Sequence, residues 1–453
     1  MGDYYNENQR SNFLDFEKVR DETKSVVMEG TKECPAHAII LCAWNNILGP
    51  HLQHIWQTEG KPEMSHEMIH YLTTHTLTSS DQPQSAIETK TLLLRDKGLV
   101  ISTFLFSGCD RQEKTVFALS LIVPYGLKSW YLPLEDFCAA RLTAMISKLR
   151  VLQDKQKFEV DPIQILDAEI PSLYCALGLL FMVPMPTQVN LNDTIFAAGQ
   201  GKQLDVQFTR KAIASHLQTC GCSVVIGNSK EEVNMMLSTL SMFLTPDERK
   251  CSVYLKDEKQ IEYQRDLLLQ GFIKDKINLS DYGRDIMASR YPTTLVDMSA
   301  LEVKQTLPYN EHDYWRHEAL TWELQSLWLD SQETLPVLKF SSLEPETLIT
   351  SFLKEIFLLY PQCGIREAYI DQFQRILDRR AIALIKYVEC ETDRGTHPSK
   401  VTLRKLKHDL DLNPEGNFRI VLSRAEKLRP GMSALICGHP GAITKDGDSL
   451  QID

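Results

Sequence analysis

The 453-residue chain lacks long apolar runs: its longest, Leu173 to Met185, is shorter than the roughly 20 residues a bilayer-spanning helix needs and contains Pro184. That stretch is expected to lie inside the fold. There is no Gly-Lys-Ser or Gly-Lys-Thr phosphate loop and no Gly-x-Ser-x-Gly elbow, so ATP or GTP hydrolysis by this chain and serine-hydrolase chemistry have no local signature. No solenoid or propeller period recurs. Basic residues are outnumbered, 49 against 60, and the net charge of −11 speaks against a sequence-independent grip on nucleic acid. Eleven cysteines without a repeated spacing do not describe a disulfide framework, and a reducing compartment fits better. The acidic opening, MGDYYNENQRSNFLDFEK, reads as neither a secretory signal nor a transit peptide, so a cytoplasmic location is expected.

What is present is globular. Hydrophobic residues make up 43% and charged residues 24% of the chain, enough for a sizeable core, and the length exceeds what one core usually spans. Residues 1–35 are polar and weakly periodic and read as a disordered arm. From Ala36 the β-forming run AHAIILCAW leads to the turn at Gly49-Pro50 and a second strand through His54-Ile55-Trp56. Ser65 is placed to cap a helix bearing Met68, Ile69 and Leu72. Strands over Thr89–Leu94, Leu99–Phe106 and Thr115–Val123 follow, the first two joined at Asp96-Lys97-Gly98. Leu134, Phe137, Cys138, Leu142, Met145, Ile146 and Leu149 then draw one helical stripe. This order predicts an α/β sandwich over residues 36–155.

Residues 156–209, rich in proline and ending in AAGQGK, read as a linker partly packed on its neighbours. Beyond it, Cys222–Ile226 predicts a buried strand, and Ser229 with Glu232 a capping box opening a helix that Pro246 stops. Helical stripes at Leu348, Phe352, Ile356 and Phe357, and at Phe373, Ile376, Leu377, Leu384 and Ile385, predict an α-rich end. The domain reading is therefore 36–155, 210–340 and 341–453, of α/β (α+β) class.

His66-Glu67-Met68-Ile69-His70 matches the zinc-peptidase pattern, in which histidines one helical turn apart bind the metal and the glutamate activates a water. A metzincin would carry glycine at Thr73 and histidine at Thr76, and Glu88 is the other candidate third ligand. A surface helix with exposed histidines explains the same residues. Cys220 and Cys222 have no second ligand pair at finger spacing and read as buried structural thiols. Arg404, Lys405 and Lys407 form a basic cluster, either a solvated helix face or a surface for anionic lipid or an acidic partner. Trp44, before Asn45 and Asn46, is either a core anchor or a rim aromatic placed for a protein partner.

Six segments in order, WNNILGPHLQHIW (44–56), AIASHLQTCGCSVVIGNS (212–229), FLTPDERKCS (243–252), YPTTLVDM (291–298), LRKLKHDLDL (403–412) and RAEKLRPGMSALICG (424–438), resemble the DENN family. Within that family they resemble the branch named for a chromosome-nine open reading frame linked to amyotrophic lateral sclerosis and frontotemporal dementia. The resemblance implies an N-terminal longin domain followed by a core and a downstream helical DENN domain. It implies a regulator of Rab or Arf small GTPases, an exchange factor or a non-catalytic subunit of a GTPase-activating complex, without cofactor or bond-making chemistry of its own. It implies a second longin-DENN partner of the Smith-Magenis-region type and a WD-repeat propeller protein. Peripheral recruitment to lysosomes, endosomes and autophagosomes follows, with a nuclear pool. Trp44, Asn45 and Asn46 are the residues expected to face the GTPase, although relatives carry an acidic residue at the position of Asn45. Arg95 and Arg111 lie in loops of the first domain with no spacing that marks an arginine finger. The competing readings are a zinc hydrolase built on His66 and His70 and a plain adaptor.

Overall fold

The computed structural model describes residues 24–47, 49–77, 86–110, 113–155, 161–197, 205–256, 262–329, 338–360, 364–393 and 403–438. These residues group into two compact units, one of 24–182 with 324–329 and one of Val183–Glu323 with 338–438.

The first unit is built on a six-stranded sheet in the order β1-β3-β2-β6-β5-β4. β2 (Ala38–Asn45) and β3 (Gly49–Thr58) form the expected hairpin, which β4 (Glu88–Leu94), β5 (Leu99–Asp110) and β6 (Glu113–Pro124) extend as a meander. β1 (Lys24–Met28) corrects the reading of residues 1–35 as an arm without fold: Lys24 pairs with His54 and Met28 with Thr58 in a parallel edge ladder. The part of that arm before Lys24 lies outside the described residues. Alternation along β2 sends Ala38, Ile40 and Cys42 to one sheet face, where α1 (His66–Leu77) covers them with Leu72 and Leu77. Ser65 caps α1 as expected, its Oγ accepting from the Met68 N–H at 3.2 Å.

After the one-turn α2 (Lys128–Tyr131), α3 (Glu135–Asp154) buries Phe137, Cys138, Leu142, Met145, Ile146 and Leu149, the stripe read from the sequence. α4 (Gln164–Met182), 19 residues long, stands within the segment 156–209 read as a linker. By length and composition it could cross a membrane. Here it buries Leu166, Ile170, Leu173, Tyr174, Leu177 and Leu180, the Tyr174 hydroxyl donates to the Trp56 carbonyl at 2.7 Å, and Asp167 accepts from the Trp56 indole N–H at 2.6 Å. It is a core helix of this unit.

The second unit holds a mixed four-stranded sheet in the order β10-β9-β7-β8. β7 (Ser223–Gly227) runs parallel to both β8 (Leu269–Ile273) and β9 (Thr294–Asp297), and β10 (Glu302–Gln305) closes the edge antiparallel to β9. Val225 and Val296 meet α5 (Val206–Gln218) and α6 (Lys230–Ser241), whereas Val224, Ile226 and Phe272 on the opposite face pack with Ile286 of α8 (Gly283–Ala288). Ser229 caps α6 by accepting from Glu232 N–H, but the Glu232 carboxylate reaches back to the Asn228 N–H, one residue earlier than a capping box requires. α6 ends at Ser241 without help from Pro246, which instead opens α7 (Pro246–Lys250) at its first turn under a complete Thr245–Glu248 capping box.

α9 (Tyr309–Leu329) precedes the expected helical end, which α10 (Leu348–Leu358), α11 (Ile365–Asp393), α12 (Leu403–Asp409), α13 (Glu415–Leu428) and α14 (Met432–Cys437) supply. The division expected at residue 340 is not one between cores. Ile349, Phe352 and Ile356 of α10 and Phe373 of α11 share a single apolar cluster with Val225, Leu237 and Phe243. The second half of α11, through Ala381, Leu384 and Ile385, builds another cluster with Leu406, Phe418 and Val421.

Candidate functional site

The residues singled out as GTPase-facing sit together at the tip of the β2–β3 hairpin. Trp44 is the last β2 residue before the tip with an aromatic side chain and is 39% exposed, where its predecessors Ala38 to Ala43 are wholly buried. An apolar ring left half in water at the end of a buried strand is a rim position and not a core anchor. Its backbone pairs with Pro50, and its carbonyl accepts from the Thr115 hydroxyl of β6. The turn is set by local chemistry: Asn45 Oδ1 accepts from the Ile47 N–H at 2.8 Å, an Asx turn, and Gly49 supplies the left-handed φ of 77° that returns the chain. The consequence is that Ile47 stands 92% exposed, beside an exposed Asn46. Ile47 is a described tip residue that the sequence pattern did not single out; the signal was an isoleucine inside an Asn-Asn-Ile turn, where polar residues are the rule.

The other candidates are dispersed. His66, Glu67 and His70 lie on the exposed side of α1, and among the described residues no group of three or more His, Cys, Asp or Glu is arranged to hold a metal. Glu88, weighed as a third ligand, is in β4 and ion-pairs with Lys90 at 3.1 Å. His75, on the same helix, stacks on Tyr71 with ring centroids 3.9 Å apart.

In the basic cluster Arg404 and Lys405 are exposed, but Lys407 is not part of an open cationic face. Its ammonium pairs with Glu415 and lies 4.5 Å from the centroid of the Phe418 ring, joining α12 to α13. Arg95 opens a single 3₁₀ turn between β4 and β5, whereas Arg111 lies outside the described residues.

Cys220 and Cys222 are buried, and desolvation pushes both thiols up to about 12, the signature of structural cysteines. They flank Gly221, whose left-handed φ of 81° turns the chain from α5 into β7 and where a Cβ would run into Leu244. Around that turn a polar network ties α5 to the sheet: Ser215 Oγ and Thr219 Oγ1 lie 2.7 and 2.8 Å from Thr294 Oγ1. His216 Nδ1 sits 2.9 Å from Ser223 Oγ, and burial, reinforced by the nearby Lys427, lowers the imidazole to about 3.

Comparison with known proteins identifies the lineage. The sequence profile of the C9orf72-like protein family matches residues 68–312. The mouse protein named guanine nucleotide exchange factor C9orf72 homolog is 34% identical over 447 residues, covering 90% of this chain and 93% of the mouse protein. The human guanine nucleotide exchange factor C9orf72 is 34% identical over 445 residues, covering 90% and 92%. The chain belongs to the C9orf72-like protein family. In this C9orf72-like chain the family match begins within α1 and closes within α9, so it includes the second sheet but not the β2–β3 tip. The whole-length relatives extend the similarity to nine-tenths of the chain.

Proposed function

We propose that this chain regulates small GTPases of the Rab or Arf type, as a guanine-nucleotide exchange factor or as the non-catalytic subunit of a GTPase-activating complex. The observation that carries the reading is identity of 34% along nine-tenths of the chain to two proteins named guanine nucleotide exchange factors. Such regulation requires contact and no bond-making by the regulator. A GTPase holds its switch segments in place through the nucleotide phosphates and Mg²⁺, so a partner that binds the displaced switch conformation better than the ordered one drives nucleotide release.

The β2–β3 tip has the chemistry for that contact. Trp44 and Ile47 offer exposed apolar area at the hairpin tip, and aromatic residues are enriched among those that carry most of an interface's binding energy. Asn45 is spent on its own turn through Oδ1, which leaves Asn46 as the polar side chain at the apex. Because the asparagines are neutral, the tip contributes no carboxylate to compete with nucleotide phosphate for Mg²⁺. Recognition here is then mainly by shape and apolar burial.

The wider setting is part of the same proposal. The chain works with a second longin-DENN protein and a WD-repeat propeller protein, is cytoplasmic and nuclear, and reaches lysosomes, endosomes and autophagosomes peripherally through that complex. Release of a fluorescent GDP analogue from a panel of Rab and Arf proteins, by the chain alone and with its longin-DENN partner, tests the reading.

A further inference from the structure

Along the second half of α11, Phe373, Leu377, Ala381, Leu384, Ile385 and Val388 are buried. With about 100° between successive helix residues, the opposite side is an arc of about 120° that carries Arg375, Ile376, Arg379, Ile382, Ala383 and Lys386, all of them exposed. This face is about 16–17 Å long, at about 1.5 Å per residue. The outward side of a surface helix is ordinarily polar, yet Ile376 and Ile382 are 37% and 49% exposed. Ile382 stands one turn from Arg379 and one turn from Lys386, so cationic and apolar side chains interleave along the helix.

The charge on this face is local. From Gln372 to Val388 the helix carries Arg375, Arg379, Arg380 and Lys386 against one carboxylate, Asp378, which accepts from the Arg424 Nε–H of α13. Lys386 pairs with Glu389 at 2.7 Å, whereas Arg375 and Arg379 have no ion-pair partner among the described residues. Asp371, exposed one turn before Arg375, borders the face. The chain as a whole has a net charge of −11, so this excess of cations is not the by-product of a generally basic surface. We propose that this face of α11 docks on a membrane leaflet containing anionic phospholipid. The long arginine and lysine side chains reach headgroup phosphates, while their stems and the isoleucines between them settle at the boundary with the acyl chains. A single helix side is a convex ridge, which meets a flat bilayer surface more readily than it seats an acidic peptide. The contact is made by this chain itself, in addition to recruitment through a complex, and does not depend on the GTPase reading.

The test is co-sedimentation of the full chain with vesicles of phosphatidylcholine alone and of phosphatidylcholine with phosphatidylserine, at low and high salt. Binding is expected only where phosphatidylserine is present, and it should weaken as added salt shortens the screening length. Arg375→Ala and Arg379→Ala should each weaken it about fivefold, the factor for about 1 kcal/mol per cation at an anionic surface. Ile382→Ser should weaken it as well, whereas Arg284→Ala, at an exposed cation of α8, should leave it unchanged. Should a variant fail to fold, the lipid and salt dependence of the unsubstituted chain still decides. Equal sedimentation with both vesicle types, undiminished binding in the folded arginine or Ile382→Ser variants, or an equal loss in Arg284→Ala would each overturn the assignment. Binding to a polyglutamate peptide that is lost in Arg375→Ala, with none to either vesicle, would overturn it in favour of an acidic protein partner.

Discussion

Asn417, at the third position of α13, holds the start of α10 from 70 residues away. Its Oδ1 accepts from the Thr347 N–H at 2.9 Å and from the Leu348 N–H at 3.1 Å, and its Nδ2 donates to Thr347 Oγ1 at 2.8 Å. Substitution by alanine orphans two amides at a helix N-terminus. Each buried N–H without a partner carries about 1–3 kcal/mol, but Thr347 is exposed, so its amide recovers water while the half-buried Leu348 does so less well. Glu346 keeps its own bonds to the Ile349 and Thr350 N–H groups, so α10 retains part of its cap. The expected loss for Asn417→Ala is about 2 kcal/mol, against about 1 for an ordinary helix cap. With a urea slope of about 2–3 kcal/mol/M, the midpoint of the second unit falls by about 0.7–1 M, and amide exchange at the start of α10 accelerates. A loss below about 0.5 kcal/mol with unchanged exchange of the Thr347 and Leu348 amides would refute the reasoning.

Further predictions follow from other contacts. A Cβ at Gly271 of β8 would lie 2.3 Å from Val233 Cγ1 and 2.9 Å from Leu237 Cδ1, so Gly271→Ala should destabilise by about 1–3 kcal/mol in chemical denaturation. His216 and His312 are lowered by burial to about 3 and about 4, so between those values and about 6.5 the unfolded chain binds more protons than the folded one. Stability should therefore fall as pH drops through that window, by at most about 1.4 kcal/mol per pH unit for each histidine, with a shallower slope in His312→Gln. Exposed Cys175 and Cys390 should react quickly with a thiol reagent, while Cys220 and Cys222 react only after unfolding, which mass spectrometry of the labelled peptides resolves.

Legibility in the sequence tracked the range of the interactions. The β4–β6 meander, the α3 stripe and the caps at Ser65 and Ser229 depend on residues within a few positions of one another, and each is where periodicity placed it. β1 was illegible because four of the five residues of KSVVM are exposed, so no alternation marks it; what makes it a strand is a parallel ladder to β3, about 30 residues away. α4 was hidden by Pro171, which sits inside the helix and reads locally as a break. Pro246 reads locally as a stop, yet the Thr245–Glu248 box that brackets it makes it the first residue of α7. The merging of α10 with the sheet core rests on Phe352 against Phe243 and on the Arg210–Glu346 ion pair to α5, pairings no local pattern encodes.

The same holds for the candidate site. Exposure of Trp44 was an open alternative in the sequence and is settled by its place at the end of a buried strand, while the prominence of Ile47 needed the turn geometry. Lys407 looked like surface charge because its partner Glu415 is eight residues on, past the end of α12.

The most direct test of the GTPase reading is the rate of labelled-GDP release from a panel of Rab and Arf proteins, measured with the chain, with the chain plus its longin-DENN partner, and with Trp44→Ala in each. The account predicts accelerated release or nucleotide-state-dependent binding for at least one GTPase, and a loss of about 30-fold in a folded Trp44→Ala, the effect of losing a hot-spot aromatic of about 2 kcal/mol. Absence of both effects across the panel would contradict the regulator reading, and full activity in folded Trp44→Ala would remove the β2–β3 tip from it.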